Sequence, residues 1–343
     1  MLNIGIIGTG FMAAQHLKAY RQVANAKIAA LCNPSGRHLD GDFSQVGGNV
    51  GDAQPLRLDM TQVKAYRDSA ALFDDAEIQA VDICTPTKTH VELALGALAA
   101  GKHVVIEKPL ARNGADARRI ADAAEVATQR GVFLMPAMCI RFWPEYAWVK
   151  ERIVSGEFGR VLDARFRRVA SSPAWGHSHF LQGAESGGAL FDLHVHDVDF
   201  IQYCFGQPRS VFASGYRKVS GAIDHVMALF QYPNGPTVSA EGSWAMAEGF
   251  PFNMSFTVNF EGATADYDLA RGAEAFRLTT KGSTQTIKLE APDGYVGELR
   301  YFVESVLAGR PPSRVTARDA SSVIELCEAE ERSVETHQSE SLS

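Results

Sequence analysis

The sequence predicts an α/β chain, with a doubly wound parallel sheet followed by an α+β domain that has a large, mostly antiparallel open sheet. Three observations carry this. Short apolar runs alternate with helical patterns through the first 136 residues, which implies a parallel sheet covered on both faces. A glycine turn, GTG at 8–10, follows the first run immediately. Beyond residue 137 the texture changes to strand-like segments meeting at hairpin signals such as Glu261-Gly262 and Lys281-Gly282.

Taken in order, LNIGII (2–7) reads as a buried strand, FMAAQHLKAYRQV as a helix and AKIAALCNP as a second strand. This fits one βαβ unit of about 30 residues. The segment from Arg37 to Met60 is glycine-rich, lacks a hydrophobic period and reads as a long loop. AVDICTP (80–86) and KHVVIEKP (102–109) are further strands, joined by a helix that Gly101 ends. A helix at 114–130 leads to the strand GVFLMPAM. Residues 144–155 and 188–205 then read as helices, and segments from VLDARFRRVA to TQTIKLE as strands. Two helices are expected at 295–309 and 316–336. The expected domains are 1–136, 137–336 and a disordered tail at 337–343.

Composition narrows the function class. With 46% hydrophobic and 21% charged residues the chain has an ordinary globular balance. A net charge of -7 argues against nucleic-acid or membrane-surface partners, which need a basic face. Five cysteines, none close to another in sequence, fit reduced thiols in a cytoplasmic setting. No apolar run reaches the length of a membrane span, and the first strand begins without a basic leader.

Three motifs carry chemistry. Gly8-x-Gly10-x-x-Ala13 opens the βαβ unit. Gly8 permits the turn, Gly10 lets backbone approach a pyrophosphate, and Ala13 allows close helix packing, so Gly8, Thr9, Gly10, Phe11 and Met12 form the expected dinucleotide cradle. The ribose reader at the end of the second strand is Asn33, where NAD sites usually carry an acid. Asn33 with Ser35 and Arg37 favours NADP, with NAD the alternative, because arginine matches phosphate geometry.

The second motif, Glu107-Lys108-Pro109, ends a buried strand, where doubly wound sheets bind ligands. Lys108 is therefore expected to face the cleft, and Pro109 to set the chain direction after it. The third is GGALFDLHVHDVDF (187–200). On an α-helix, Asp192 and His196 lie about 40° apart on one face, which Asp199 shares, and His194 points about 200° away. An aspartate one turn from a histidine orients a general base. The His-x-His pairs at 177–179 and 194–196 raise a metal reading, but a chain that opens on a glycine turn rather than a His-x-His strand favours chemistry with no metal.

Together GTGFMA, ICTPTKTH, AGKHVVIEKPLA and GGALFDLHVHDVD resemble the signatures of the glucose–fructose oxidoreductase, inositol dehydrogenase and rhizopine catabolism family of NAD(P)-dependent oxidoreductases. The resemblance implies a Rossmann domain, then an α+β domain whose open sheet joins subunits into a homodimer or homotetramer. It implies that Lys108, Asp192 and His196 carry the reaction. Lys108 would bind the reacting oxygen, His196 would move the hydroxyl proton and Asp192 would orient it, with hydride passing to or from nicotinamide. Thr85, Pro86, His90 and Glu107 then border the cofactor. Arg141, Trp143 and His194 join Lys108, Asp192 and His196 as candidates for contact with a sugar or cyclitol. His194 stands where the family often has glycine. A wider pool comprises Arg168, Trp175, His177, His179 and Tyr295.

The leading expectation is a sugar or cyclitol dehydrogenase. Two rivals follow from the same resemblance: a nucleotide-dependent glycosidase working by transient oxidation, and a non-catalytic sugar or nucleotide sensor.

Overall fold

The computed structural model describes residues 1–47, 54–172 and 181–342. The chain divides into two compact units, one of 1–139 with 293–322, the other of 140–292 with 323–343.

The first unit opens with β1 (Leu2–Ile7), α1 (Phe11–Tyr20) and β2 (Ala26–Cys32). It continues with β3 (Lys64–Tyr66), α2 (Ser69–Phe73), β4 (Ala80–Ile83), α3 (His90–Ala99), β5 (His103–Glu107), α4 (Gly114–Thr128) and β6 (Leu134–Ala137). Six parallel strands run in the order β3-β2-β1-β4-β5-β6. This is the doubly wound dinucleotide-binding order, whose reversal between β1 and β4 opens a crevice at the strands' carboxyl ends. Every residue of β4 is buried, and β1 and β5 are buried except for one partly exposed residue each. That burial explains why these strands read as apolar runs rather than alternating ones. Asn113 caps α4 by accepting from Asp116 N at 2.9 Å.

The second unit begins with α5 (Pro144–Ser155), β7 (Val161–Ser171) and the short α6 (Gly183–Ser186). A π-helical turn over Leu190–His194 leads into α7 (Val195–Phe205). The strands β8 (Ser210–Tyr216), β9 (His225–Gln231), β10 (Thr237–Met246), β11 (Asn253–Phe260), β12 (Thr264–Asp268), β13 (Phe276–Thr280) and β14 (Ser283–Thr286) follow. Helices α8 (Gly294–Leu307) and α9 (Ala317–Thr336) and a final β15 (Glu340–Ser341) complete the chain. The nine-stranded sheet runs β14-β13-β12-β11-β7-β10-β9-β8-β15, antiparallel except where β10 lies parallel to β7. Both expected hairpins form, with β11–β12 at Glu261-Gly262 and β13–β14 at Lys281-Gly282. Under the sheet, Tyr146 sets its ring edge-on to Phe200 and Phe256, each at 4.9 Å.

Three expectations are corrected. The chain returns to the first unit: α8 belongs there, with Arg300 donating to the Gln22 carbonyl at 3.5 Å. The tail is not disordered as far as Leu342, since Glu340 and Ser341 pair with Val211 and Ser210. Among its described residues up to Asp59 the 37–60 segment is a loop, as expected, with one bridge between Asp42 and Arg57 and with Phe43 and Leu56 buried. Finally, the 188–205 helix is not uniformly α-helical. Its π turn closes i→i+5 bonds and takes up an extra residue, so an α-helical face does not run through it.

Candidate active site

The dinucleotide end of the first unit is built by the glycine turn. Gly8 has φ +89°, and a Cβ there would lie 2.5 Å from the Cys84 carbonyl oxygen, so only glycine fits. Gly10 is the N-cap of α1 and supplies no side-chain cap, and a Cβ there would meet nothing within 4 Å. Gly10 thus leaves room at the positive end of a ten-residue helix, which fits a pyrophosphate. Phe11 and Met12 begin that helix, partly exposed.

Thr9 is buried and ties this turn to the ribose loop. Its hydroxyl donates to the Arg37 carbonyl at 2.8 Å and accepts from Asn33 Nδ2. Asn33 Oδ1 accepts from the Ser35 amide and hydroxyl, both at 3.0 Å. The side chain at the end of β2 is therefore an amide fixed by its own loop. No carboxylate occupies this position.

Thr85 and Pro86 follow β4, and Lys108 follows β5, joined to Pro109 by a cis peptide bond. His90, expected among the cofactor contacts, is fully buried and acts as a strap instead. Its Nδ1 lies 3.0 Å from the Pro109 carbonyl and its Nε2 3.0 Å from the Thr85 carbonyl. Burial pushes its pKa down, and a neutral ring donates to one carbonyl at a time.

Glu107 is not held by the Lys108 ammonium. Its Oε2 accepts from the Lys108 backbone N–H at 3.2 Å, and its Oε1 lies 3.0 Å from His16 Nε2. His16, on α1, is fully buried, and its Nδ1 donates to Asp82 Oδ2 at 2.8 Å. Glu298 on α8 comes within 3.8 Å of the same imidazole, and neither of its buried oxygens has a hydrogen-bond partner. Cys84 Sγ completes the group, donating to Asp82 Oδ1 at 3.3 Å. Burial works to lower the His16 pKa, but Asp82 and Cys84 outweigh it and hold the imidazole well above its ordinary value. Burial drives the Glu298 pKa well upward, with Glu107 and Asp82 adding to it. The cluster sets an imidazole whose protonated form is favoured between Asp82 and Glu107, with Glu298, whose protonated form burial favours, beside it. Sequence reading missed it because His16, Asp82 and Glu298 stand in no motif.

In the second unit, Asp192 and His196 are both partly exposed. His194, expected to touch substrate, is corrected: it is fully buried, with Nε2 3.3 Å from Glu330 Oε1 and its Cβ packed on Gly242. Burial works to lower its pKa, and Glu330 outweighs it. Asp199 does not share an open face with Asp192 and His196. It is buried and accepts from Arg141 Nε at 2.8 Å and Nη2 at 2.6 Å. Arg141 itself is 2% exposed, with its guanidinium 4.5 Å from the Tyr203 ring centroid, so its fork holds the helix rather than reaching toward solvent. Arg168 is likewise buried against Asp197, at 3.0 Å from both Nε and Nη2. Trp143 is the partly exposed N-cap of α5, and Tyr295 tilts over His16 in the first unit. Trp175, His177 and His179 lie outside the described residues. The second His-x-His pair sits in the helical turn, not on a strand, so its rings do not project side by side.

Residues 2–135 match the oxidoreductase family with an NAD-binding Rossmann fold, and 146–266 match the GFO/IDH/MocA C-terminal domain. The chain is 28% identical to levoglucosan dehydrogenase of Pseudarthrobacter phenanthrenivorans over 276 residues, 71% of this chain and 67% of that one. It is 25% identical to myo-inositol 2-dehydrogenase of Thermotoga maritima over 98% of both chains. A levoglucosan dehydrogenase structure in complex with NADH superposes with a TM-score of 0.83 at 22% identity, covering 100% of this chain and 99% of that one. The chain belongs to the GFO/IDH/MocA family of NAD-binding oxidoreductases.

Proposed function

We propose that the chain is a dehydrogenase of a sugar, cyclitol or similar polyol, or the corresponding ketone reductase. The observation that carries this is an uncapped α1 behind an open glycine turn, with Lys108 at the carboxyl edge of the same parallel sheet. The relatives named for inositol and levoglucosan support the substrate class. The bound nicotinamide supplies the hydride acceptor or donor. Lys108 hydrogen-bonds the reacting oxygen and stabilises the charge that develops there. His196 takes the hydroxyl proton, and Asp192 orients its ring. Arg141 and His194, both buried, support the helix that carries them.

The fixed amide of Asn33 and the nearby Arg37 favour NADP over NAD, because no acid stands there to repel a 2′-phosphate. One sheet face leaves Phe212 41%, Tyr216 48%, Met227 57% and Leu229 40% exposed. These sit on paired strands, with Phe212 opposite Leu229, and suit a face that a second copy covers in a homodimer or homotetramer. No helix among the described residues is long and apolar enough to cross a membrane. The free cysteines fit the reducing cytoplasm.

The test is a spectrophotometric screen at about 340 nm, with NAD+ and NADP+ against inositols, levoglucosan and simple sugars. Nucleotide reduction by at least one polyol is the expected result. Nucleotide binding with no reduction by any of them would remove the dehydrogenase reading.

A further inference from the structure

We infer that Arg67 forms, with Arg37, a two-guanidinium subsite for the 2′-phosphate of NADP. The inference rests on the dinucleotide reading above and deepens it. Arg67 lies just past β3, which pairs with β2, so the strand register delivers it beside the ribose loop. Its guanidinium lies against the backbone of Gly36. A Cβ on that glycine would fall 2.5 Å from Nη2, 2.8 Å from Cζ and 3.2 Å from Nε. The glycine, at φ +75°, therefore both makes the turn and leaves room for the planar group.

Three features make this a phosphate subsite rather than a pair of solvated side chains. Neither Arg37 nor Arg67 has a carboxylate partner among the described residues, although the neighbouring Arg57 pairs with Asp42 at 3.0 Å. The ribose reader is an amide whose acceptor oxygen is already used by Ser35, so the loop presents no negative charge to a phosphate. The loop is also anchored. The Arg37 carbonyl accepts from Thr9 and, at 3.2 Å, from Asn33 Nδ2, which fixes the backbone carrying Arg37 to the pyrophosphate turn. Two arginine forks beside an anchored turn with no acid at residues 33–37 match a dianionic phosphate. The same surface gives a bare ribose hydroxyl little to gain.

The competing role for Arg67 is stacking on the adenine, which NAD and NADP share. Calorimetric titration of nucleotide-stripped full-length protein separates the two, using NADP+, NAD+, and the pair adenosine 2′,5′-bisphosphate and 5′-AMP. The wild type should bind NADP+ more tightly than NAD+. Arg67→Ala should weaken NADP+ and the bisphosphate by about 10- to 100-fold, the weight of a hydrogen bond to a charged group. Its NAD+ and 5′-AMP affinities should stay within about twofold, since neither carries the 2′-phosphate. Arg67→Lys should recover part of the loss, because it restores charge without the fork. Equal loss for both nucleotides would assign Arg67 to adenine stacking and overturn the subsite. So would a wild-type preference for NAD+, while leaving the dehydrogenase reading intact. Absence of binding by any of the four would overturn both.

Discussion

Lys108→Met is expected to lower kcat by about 10²- to 10³-fold, the usual cost of removing one donor from a developing oxyanion. Nucleotide affinity should change little, because the dinucleotide cradle is made by the glycine turn and the loop at 33–37. Methionine is close in length and unbranched, so packing at this partly exposed position is largely kept. The neighbouring Glu107 does not depend on the ammonium, since His16 and the backbone N–H of residue 108 hold its carboxylate. Steady-state kinetics beside a nucleotide titration checks this. A variant with undiminished kcat would remove Lys108 from the chemistry.

The second large effect lies in the core of the first unit. His16→Ala leaves the buried Asp82 and Glu107 facing each other with no cation between them. Breaking a buried pair from one side costs about 3–5 kcal/mol. For a chain of this size that is a fall in melting temperature of about 4–7 °C. Glu298→Gln should do the opposite of what its buried charge suggests. Burial favours the protonated acid, for which the amide is a neutral replacement of the same shape, so stability should stay within about 1 kcal/mol.

The pH dependence has a definite sign. The folded His16 pKa is raised above its ordinary 6.5, so the folded state binds the extra proton. Its contribution is complete below that ordinary value and is lost as pH rises through the folded pKa. The raised Glu298 pKa acts in the same direction. Thermal melts of wild type and His16→Ala should therefore converge toward alkaline pH. Equal melting temperatures near neutrality would mean that His16 is neutral in the fold. A strongly destabilised Glu298→Gln would mean that Glu298 is ionised.

The strands of the parallel sheet were legible because burial on both faces makes them short apolar runs bounded by glycine and proline. The helices at 144–155 and 114–128 were legible from their period. β3 was missed because three residues after a long insertion carry no pattern. The return of α8 was missed because an amphipathic helix does not say which unit receives its apolar face. The π turn was missed because the helical template assumes 3.6 residues per turn, and that template carried the face of His196 and Asp199 back to Asp192 across a turn that takes up an extra residue.

The positions of Asn33, Thr85 and Lys108 just past strand ends were legible from the apolar runs before them. The roles of His16, Asp82, Glu298 and Arg67 were not, because each depends on a partner brought close only by folding. His16 and Asp82, for instance, are 66 residues apart in sequence. The acid partners of His194 and Arg141 were not legible for the same reason, since they lie 136 and 58 residues away.

The most direct measurement follows the hydrogen itself. The polyol that gives the largest nucleotide signal, deuterated at its carbinol carbons, is turned over with the preferred nucleotide, and the mass of the reduced nucleotide is read. The account predicts one deuterium transferred to the nicotinamide for each carbonyl formed. Release of the aglycone from a chromogenic glycoside, with no reduced nucleotide accumulating, would contradict it and assign the chain to glycoside cleavage by transient oxidation.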